Sequence, residues 1–191
     1  PALWLQADNP PQHFVILGGG KTAMDTAVWL LEAGVAPERI DWVRPRDSWM
    51  LNRGVLQPAH VNLEGLVAYQ VALVECAAAA SSGGELCRLL EQRGMMLRID
   101  PATEPTMFHF AVISEGEIAL MQQITRIHRQ GRVSAIEPEA MTIAGERVAV
   151  PKGTLFIDCT ATAVPFNARG DTRPFFDGDT ITLQLVQTPF V

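Results

Sequence analysis

Gly18, Gly19 and Gly20 stand in a row between a short apolar run, His13 to Leu17, and a segment whose Ala23, Ala27, Leu30 and Leu31 recur at helical spacing. A glycine turn between a strand and a helix can bring bare backbone close to a polyanion. With Thr22 and Ala23 the stretch fits GxGxxG/A. In that pattern the first glycine makes the tight turn, the second admits a pyrophosphate, and the small last residue lets helix and strand pack closely. The pyrophosphate would then meet the unpaired N–H groups of a helix N-terminus. Lys21 reads as a phosphate contact or, as such a lysine more often is, a solvated first-turn charge. Asp25, in the first turns, complements the dipole and is kept as a ligand contact. The competing reading is a glycine-rich turn that binds nothing. A P-loop, which Gly20-Lys21-Thr22 superficially ends like, needs glycine at position 15; the chain has Val15, in mid-strand.

The second strand, Ile40 to Val43, closes on Arg44-Pro45-Arg46. A carboxylate there would accept from a ribose 2′-hydroxyl and repel a 2′-phosphate, whereas Arg44 can pair with that phosphate through a charged fork, with Arg46 kept as a further cofactor contact. NADP(H) is therefore expected over NAD. Solvated loop charges, one of them neutralised by Asp47, are the competing reading. Asp41 opens the strand and is poorly placed for a ribose. Trp42 and Trp49 read as core or as flanks of a nicotinamide.

No other constellation carries chemistry. His13, His60, His109 and His128 lack metal-ligand spacing, so no metal is expected. Cys76, Cys87 and Cys159 are odd in number and far apart, which fits a reduced, cytoplasmic protein, and Cys159 reads as a core cysteine. There is no GxSxG. No catalytic residue is assigned.

The elements that must position the turn follow from periodicity. Strand, turn, helix and strand fit one βαβ unit. RPRDSWMLNRG (44–54) reads as polar turn, and His109 with its two phenylalanine neighbours as loop packing. Two helices are expected over 61–94, the second capped by Ser82 with Glu85 and stopped by Gly94. Met95 to Ile99 reads as a third buried strand, and Ser114 with Glu117 as the start of a helix reaching about Arg129. From Arg132 the period becomes two, which predicts a β-meander. Thr154 to Ala161 reads as another fully buried strand, and Ile181 to Val186 as strand-like. The expected division is a linker over 1–11, a Rossmann-like domain over 12–131 with a helical insertion at 61–94, and a last segment over 132–191.

The chain has 191 residues, a net charge of −6, 48% hydrophobic and 19% charged residues. That composition suits a soluble globular protein, and the order of elements an α/β fold with a Rossmann-like parallel sheet and helices on both faces. It argues against nucleic acid, which needs clustered cations. Glu64, Gln70 and Glu75 interrupt the most apolar stretch, so no membrane span is expected. The opening at Pro1, without initiator Met or signal-type core, reads as a piece of something longer.

FVILGGGKTAMDTAVWLLEAGV followed by IDWVRPRDSW resembles the NADPH-binding segment of flavoproteins with two dinucleotide-binding domains, flavin-containing monooxygenase-like enzymes above all. Their internal motif is GxGx[ST][GA], matched by Gly18, Gly20, Thr22 and Ala23, and Arg44 matches the basic residue after the second strand. GRVSAI, the meander and TLFIDCTA resemble the return path into the FAD domain. The resemblance spans about residues 12 to 165 and implies an NAD(P)H-dependent flavoprotein oxidoreductase. There NADPH reduces FAD, and the flavin reduces O2 or a small-molecule substrate. An earlier glycine motif for FAD does not precede Pro1, so FAD is expected only in a longer parent. A homodimer is compatible with this reading. The alternative is a non-catalytic dinucleotide-sensing or scaffold module.

Overall fold

Strand β1 (Phe14–Leu17) and strand β2 (Ile40–Val43) are completely buried, as a continuous apolar run in a parallel sheet requires. The computed structural model describes residues 10–56, 59–161 and 176–181. The expected linker over 1–11 therefore lies mostly outside the described residues. The chain separates into two units, Pro1–Thr160 and Ala161–Val191, so the division expected at residue 131 falls inside the first. The fold is α/β, with a parallel sheet, flanking helices and an antiparallel sheet.

In the first unit, β1 and β2 pair in parallel, β2 pairs with β6 (Arg126–His128) and β1 with β10 (Leu155–Asp158), giving the order β10-β1-β2-β6. Helix α1 (Lys21–Glu32) connects β1 to β2 and buries Ala23, Met24, Ala27, Val28 and Leu30. With α4 (Glu115–Met121) it covers the face carrying Phe14, Ile16, Ile40 and Trp42. The opposite face, with Val15, Leu17 and Val43, packs on Met141, Ile143 and Val150 of a three-stranded meander, β7 (Val133–Glu137), β8 (Ala140–Ile143) and β9 (Glu146–Ala149) with the residue that follows it. Alternation in β8 sends Met141 and Ile143 inward, the period of two expected from the sequence.

A second sheet, β4-β3-β5, comprises β3 (Ser48–Asn52), β4 (Met96–Leu97) and β5 (Met107–Ile113). Met50 faces the α1 core, whereas Trp49 and Leu51 face a second core beneath α2 (Ala59–Ala79) and α3 (Gly83–Gln92). The polar neighbours of β3 hid it: the segment expected to be a turn is a strand with all five residues buried. Met95 to Ile99 reduces to two strand residues at the edge of this sheet. His109, expected in a loop, lies in β5.

Two further expectations change. The helix beginning after Ser114 stops at Met121 rather than near Arg129, and Arg126 to His128 form the edge strand β6. Both Arg126 and His128 reach Asp41 on β2, which ties the segment to the sheet. Strand β10 is half-buried rather than fully covered, because it is the other edge. Within α2, His60–Ala79 is long and apolar enough, by length and composition alone, to cross a membrane; it contains the Glu64, Gln70 and Glu75 noted above. In the second unit, β11 (Phe176–Asp177) and β12 (Thr180–Ile181) form a hairpin. The strand-like stretch 181–186 lies, after Ile181, outside the described residues.

Candidate functional site: the glycine turn at the end of β1

The turn is held from three sides. Gly18 has φ +120°, a conformation that favours glycine. A Cβ on it would lie 2.8 Å from the Cys159 carbonyl oxygen at the end of β10. Its N–H donates to the Val43 carbonyl at 2.9 Å, and its own carbonyl accepts from the Trp42 indole Nε1–H at 2.7 Å. A Cβ on Gly19 would meet the Arg46 carbonyl oxygen at 2.6 Å and the Arg44 Cγ at 3.2 Å. Around Gly20 there is open space. The Gly19 carbonyl accepts a long contact, 3.5 Å, from the Ser48 hydroxyl.

The peptide bonds here are trans, so each carbonyl and the N–H of the next residue point in opposite directions. With the Gly18 and Gly19 carbonyls turned into the protein, the N–H groups of Gly19 and Gly20 point away from it. Neither donates to an acceptor among the described residues. Gly20 is also the N-cap of α1, where no side chain caps the helix and no acidic residue occupies the first turn. The result is a short row of free donors at the positive end of a helix dipole, a suitable seat for an anion.

The other expected site residues fall into distinct positions. Ala23 is buried and lets α1 approach β1; Thr22 is exposed. Lys21 and Asp25 form an ion pair one helical turn apart on the surface, so each satisfies the other. Arg46 is exposed beside the turn. Arg44 is not at the rim: it is 2% exposed, sharing a face of the sheet with Ile40 and Trp42. Its guanidinium lies 4.5 Å from the centre of the Trp42 ring, and its Nε is 2.9 Å from Asp47 Oδ1. Asp47 in turn meets Arg129 at 3.2 Å, and Arg129 meets Asp100 at 2.9 Å. Burial pushes the Arg44 guanidinium below its ordinary pKa, opposed by the adjacent Asp47 charge. Its Nη1 has no hydrogen-bond partner among the described residues.

No family model matches the chain, and no solved structure matches it. It is 38% identical over 175 residues to an uncharacterized protein of Mycobacterium bovis and to uncharacterized proteins of two strains of Mycobacterium tuberculosis. The match takes in 92% of this chain and 32% of each relative. The chain thus spans about a third of the length of the curated relatives it matches.

Sequence reasoning missed Ser48 and the structural part played by Trp42. The available signal was alternation: Ile40 and Trp42 share a face of β2, and Arg44, just past the strand end, continues that spacing of two. Cys159 is a free, half-buried cysteine whose Sγ lies 3.6 Å from the Thr26 hydroxyl, and burial pushes its thiol pKa up. Asp41 anchors a separate buried network. It accepts from His13 at 2.5 Å, from His128 at 2.7 Å and from Arg126 at 3.0 Å. Among the described residues no group of three or more His, Cys, Asp and Glu is arranged to hold a metal ion.

Proposed function

We propose that this chain is the NADP(H)-holding part of an FAD-dependent, monooxygenase-like oxidoreductase. The observation that carries the reading is the orientation of the glycine turn. Two carbonyls face inward, two free N–H groups face outward at an uncapped helix start, and no room exists for a Cβ on Gly18 or Gly19. A pyrophosphate satisfies those donors without any cationic side chain. Gly18, Gly19, Gly20 and the first turn of α1, from Lys21 to Ala23, hold it. Asp25 keeps the Lys21 ammonium on the helix surface.

Arg46 is the guanidinium presented to solvent beside the turn, so it takes the 2′-phosphate. Arg44, buried against Trp42 and Asp47, supports the turn from beneath. When bound, NADPH supplies a hydride, and FAD in a longer polypeptide is its acceptor. The relatives, about three times as long as the matched segment, have chain enough for a flavin domain.

Titration of the purified chain with NADPH and NADH, followed by tryptophan fluorescence, tests the reading. NADPH is expected to bind more tightly, and Arg46→Ala to weaken NADPH about tenfold while leaving NADH unchanged. Tighter NADH binding in the wild type, or an unaltered NADPH affinity in Arg46→Ala, overturns the cofactor assignment. Absence of binding by either dinucleotide overturns the site.

A further inference from the structure

The Trp42 side chain bridges the sheet to the turn, and that bridge has a directional consequence. The indole Nε1–H donates to the Gly18 carbonyl at 2.7 Å, and the ring is completely buried. The Gly18–Gly19 peptide is planar and trans, so fixing its carbonyl fixes the Gly19 N–H on the opposite side. A glycine pair is otherwise the part of a chain freest to rotate a peptide plane. Rotation of this plane would carry the donor away from any anion at the α1 N-terminus. The Arg44 guanidinium, 4.5 Å from the centre of the Trp42 ring and paired with Asp47, helps hold the indole in place. Its Cγ also leaves no space on Gly19.

We infer that Trp42 is a positioning residue, whose indole N–H orients the Gly18–Gly19 peptide so that the Gly19 N–H faces the pyrophosphate of a dinucleotide. This rests on the dinucleotide reading above and deepens it. Affinity and selectivity are then carried by separate residues around one strand end. Trp42, backed by Arg44, acts on the pyrophosphate, which NADPH and NADH share, whereas Arg46 acts on the 2′-phosphate, which only NADPH has.

Trp42→Phe keeps an aromatic ring for Arg44 to stack on and removes the donor. It is expected to weaken NADPH and NADH by the same factor, about tenfold, leaving the ratio of the two affinities unchanged. Ile40→Val, a core truncation on the same strand face, is the control for lost packing and is expected to leave both affinities within twofold. In the wild type, the Gly19 backbone amide resonance is expected to move on addition of either dinucleotide. This NMR measurement keeps the inference falsifiable should Trp42→Phe fail to fold. The inference is overturned if the wild type binds and Trp42→Phe binds equally well. It also falls if that variant changes the NADPH to NADH ratio, if Ile40→Val weakens binding as much, or if the Gly19 amide is unmoved at saturation. Failure of the wild type to bind either dinucleotide brings down the dinucleotide reading itself, and the inference with it.

Discussion

Gly19 and Arg44 lie close together, so that a Cβ on Gly19 would come within 3.2 Å of the Arg44 Cγ, and each fails differently when changed. Gly19→Ala places a methyl group 2.6 Å from the Arg46 carbonyl oxygen, which is backbone and cannot swing aside. The turn or the 44–46 segment must shift. We expect dinucleotide affinity to fall by more than tenfold, measured by fluorescence titration. Arg44→Ala removes a buried charge and leaves Asp47, itself buried, with Arg129 at 3.2 Å as its remaining ion-pair partner. Urea denaturation should show a loss of about 3 kcal/mol, in the range for breaking a buried pair. The glycines were legible because their chemistry is local: strand, turn and helix adjoin in sequence. The buried state of Arg44 was harder to see, since arginine normally marks a surface and the charges around it come from Asp47 and from Arg129 and Asp100, far along the chain.

Helix α4 shows how an element can be legible at one end and opaque at the other. The Ser114 hydroxyl accepts the Glu117 N–H at 3.2 Å, while the Glu117 carboxylate accepts the Ser114 N–H at 2.8 Å, a reciprocal capping box. Ser114→Ala is expected to cost about 1 kcal/mol by urea denaturation, with the α1 face of the core otherwise intact. The box is written in four consecutive residues and was visible as such. The stop at Met121 is not local. It is set by β6, whose Arg126 and His128 are drawn to Asp41 on β2, more than eighty residues earlier. Strand β3 was hidden for the opposite reason. It lies between two cores, so Ser48 to Asn52 need neither alternation nor a long apolar run, and the flanking arginines and aspartate make it look like a turn.

At the scale of the molecule, distant segments are joined through buried polar groups as well as apolar ones. Burial raises the Asp41 pKa, but the hydrogen bonds from His128, His13 and Arg126 outweigh it and hold the carboxyl at about 2, against an ordinary 3.8. A carboxylate with a depressed folded-state pKa stabilises the fold above its unfolded value and ceases to do so as pH falls through the folded one. Asp41 therefore contributes about 2 kcal/mol at neutral pH, lost between about pH 4 and pH 2. Urea midpoints between pH 5 and pH 2.5 should fall less steeply in Asp41→Asn than in the wild type. Strand β10 joins the ends of the first unit in a second way. It pairs with β1 from Phe14↔Leu155 to Leu17↔Asp158, and the Cys159 carbonyl then closes over Gly18. During synthesis the residues of the glycine turn leave the ribosome ahead of one wall of their cradle, which is encoded about 140 residues later. The nascent chain therefore carries the motif before it carries the completed turn, and capture of the proposed dinucleotide must wait until β10 has emerged and docked on β1.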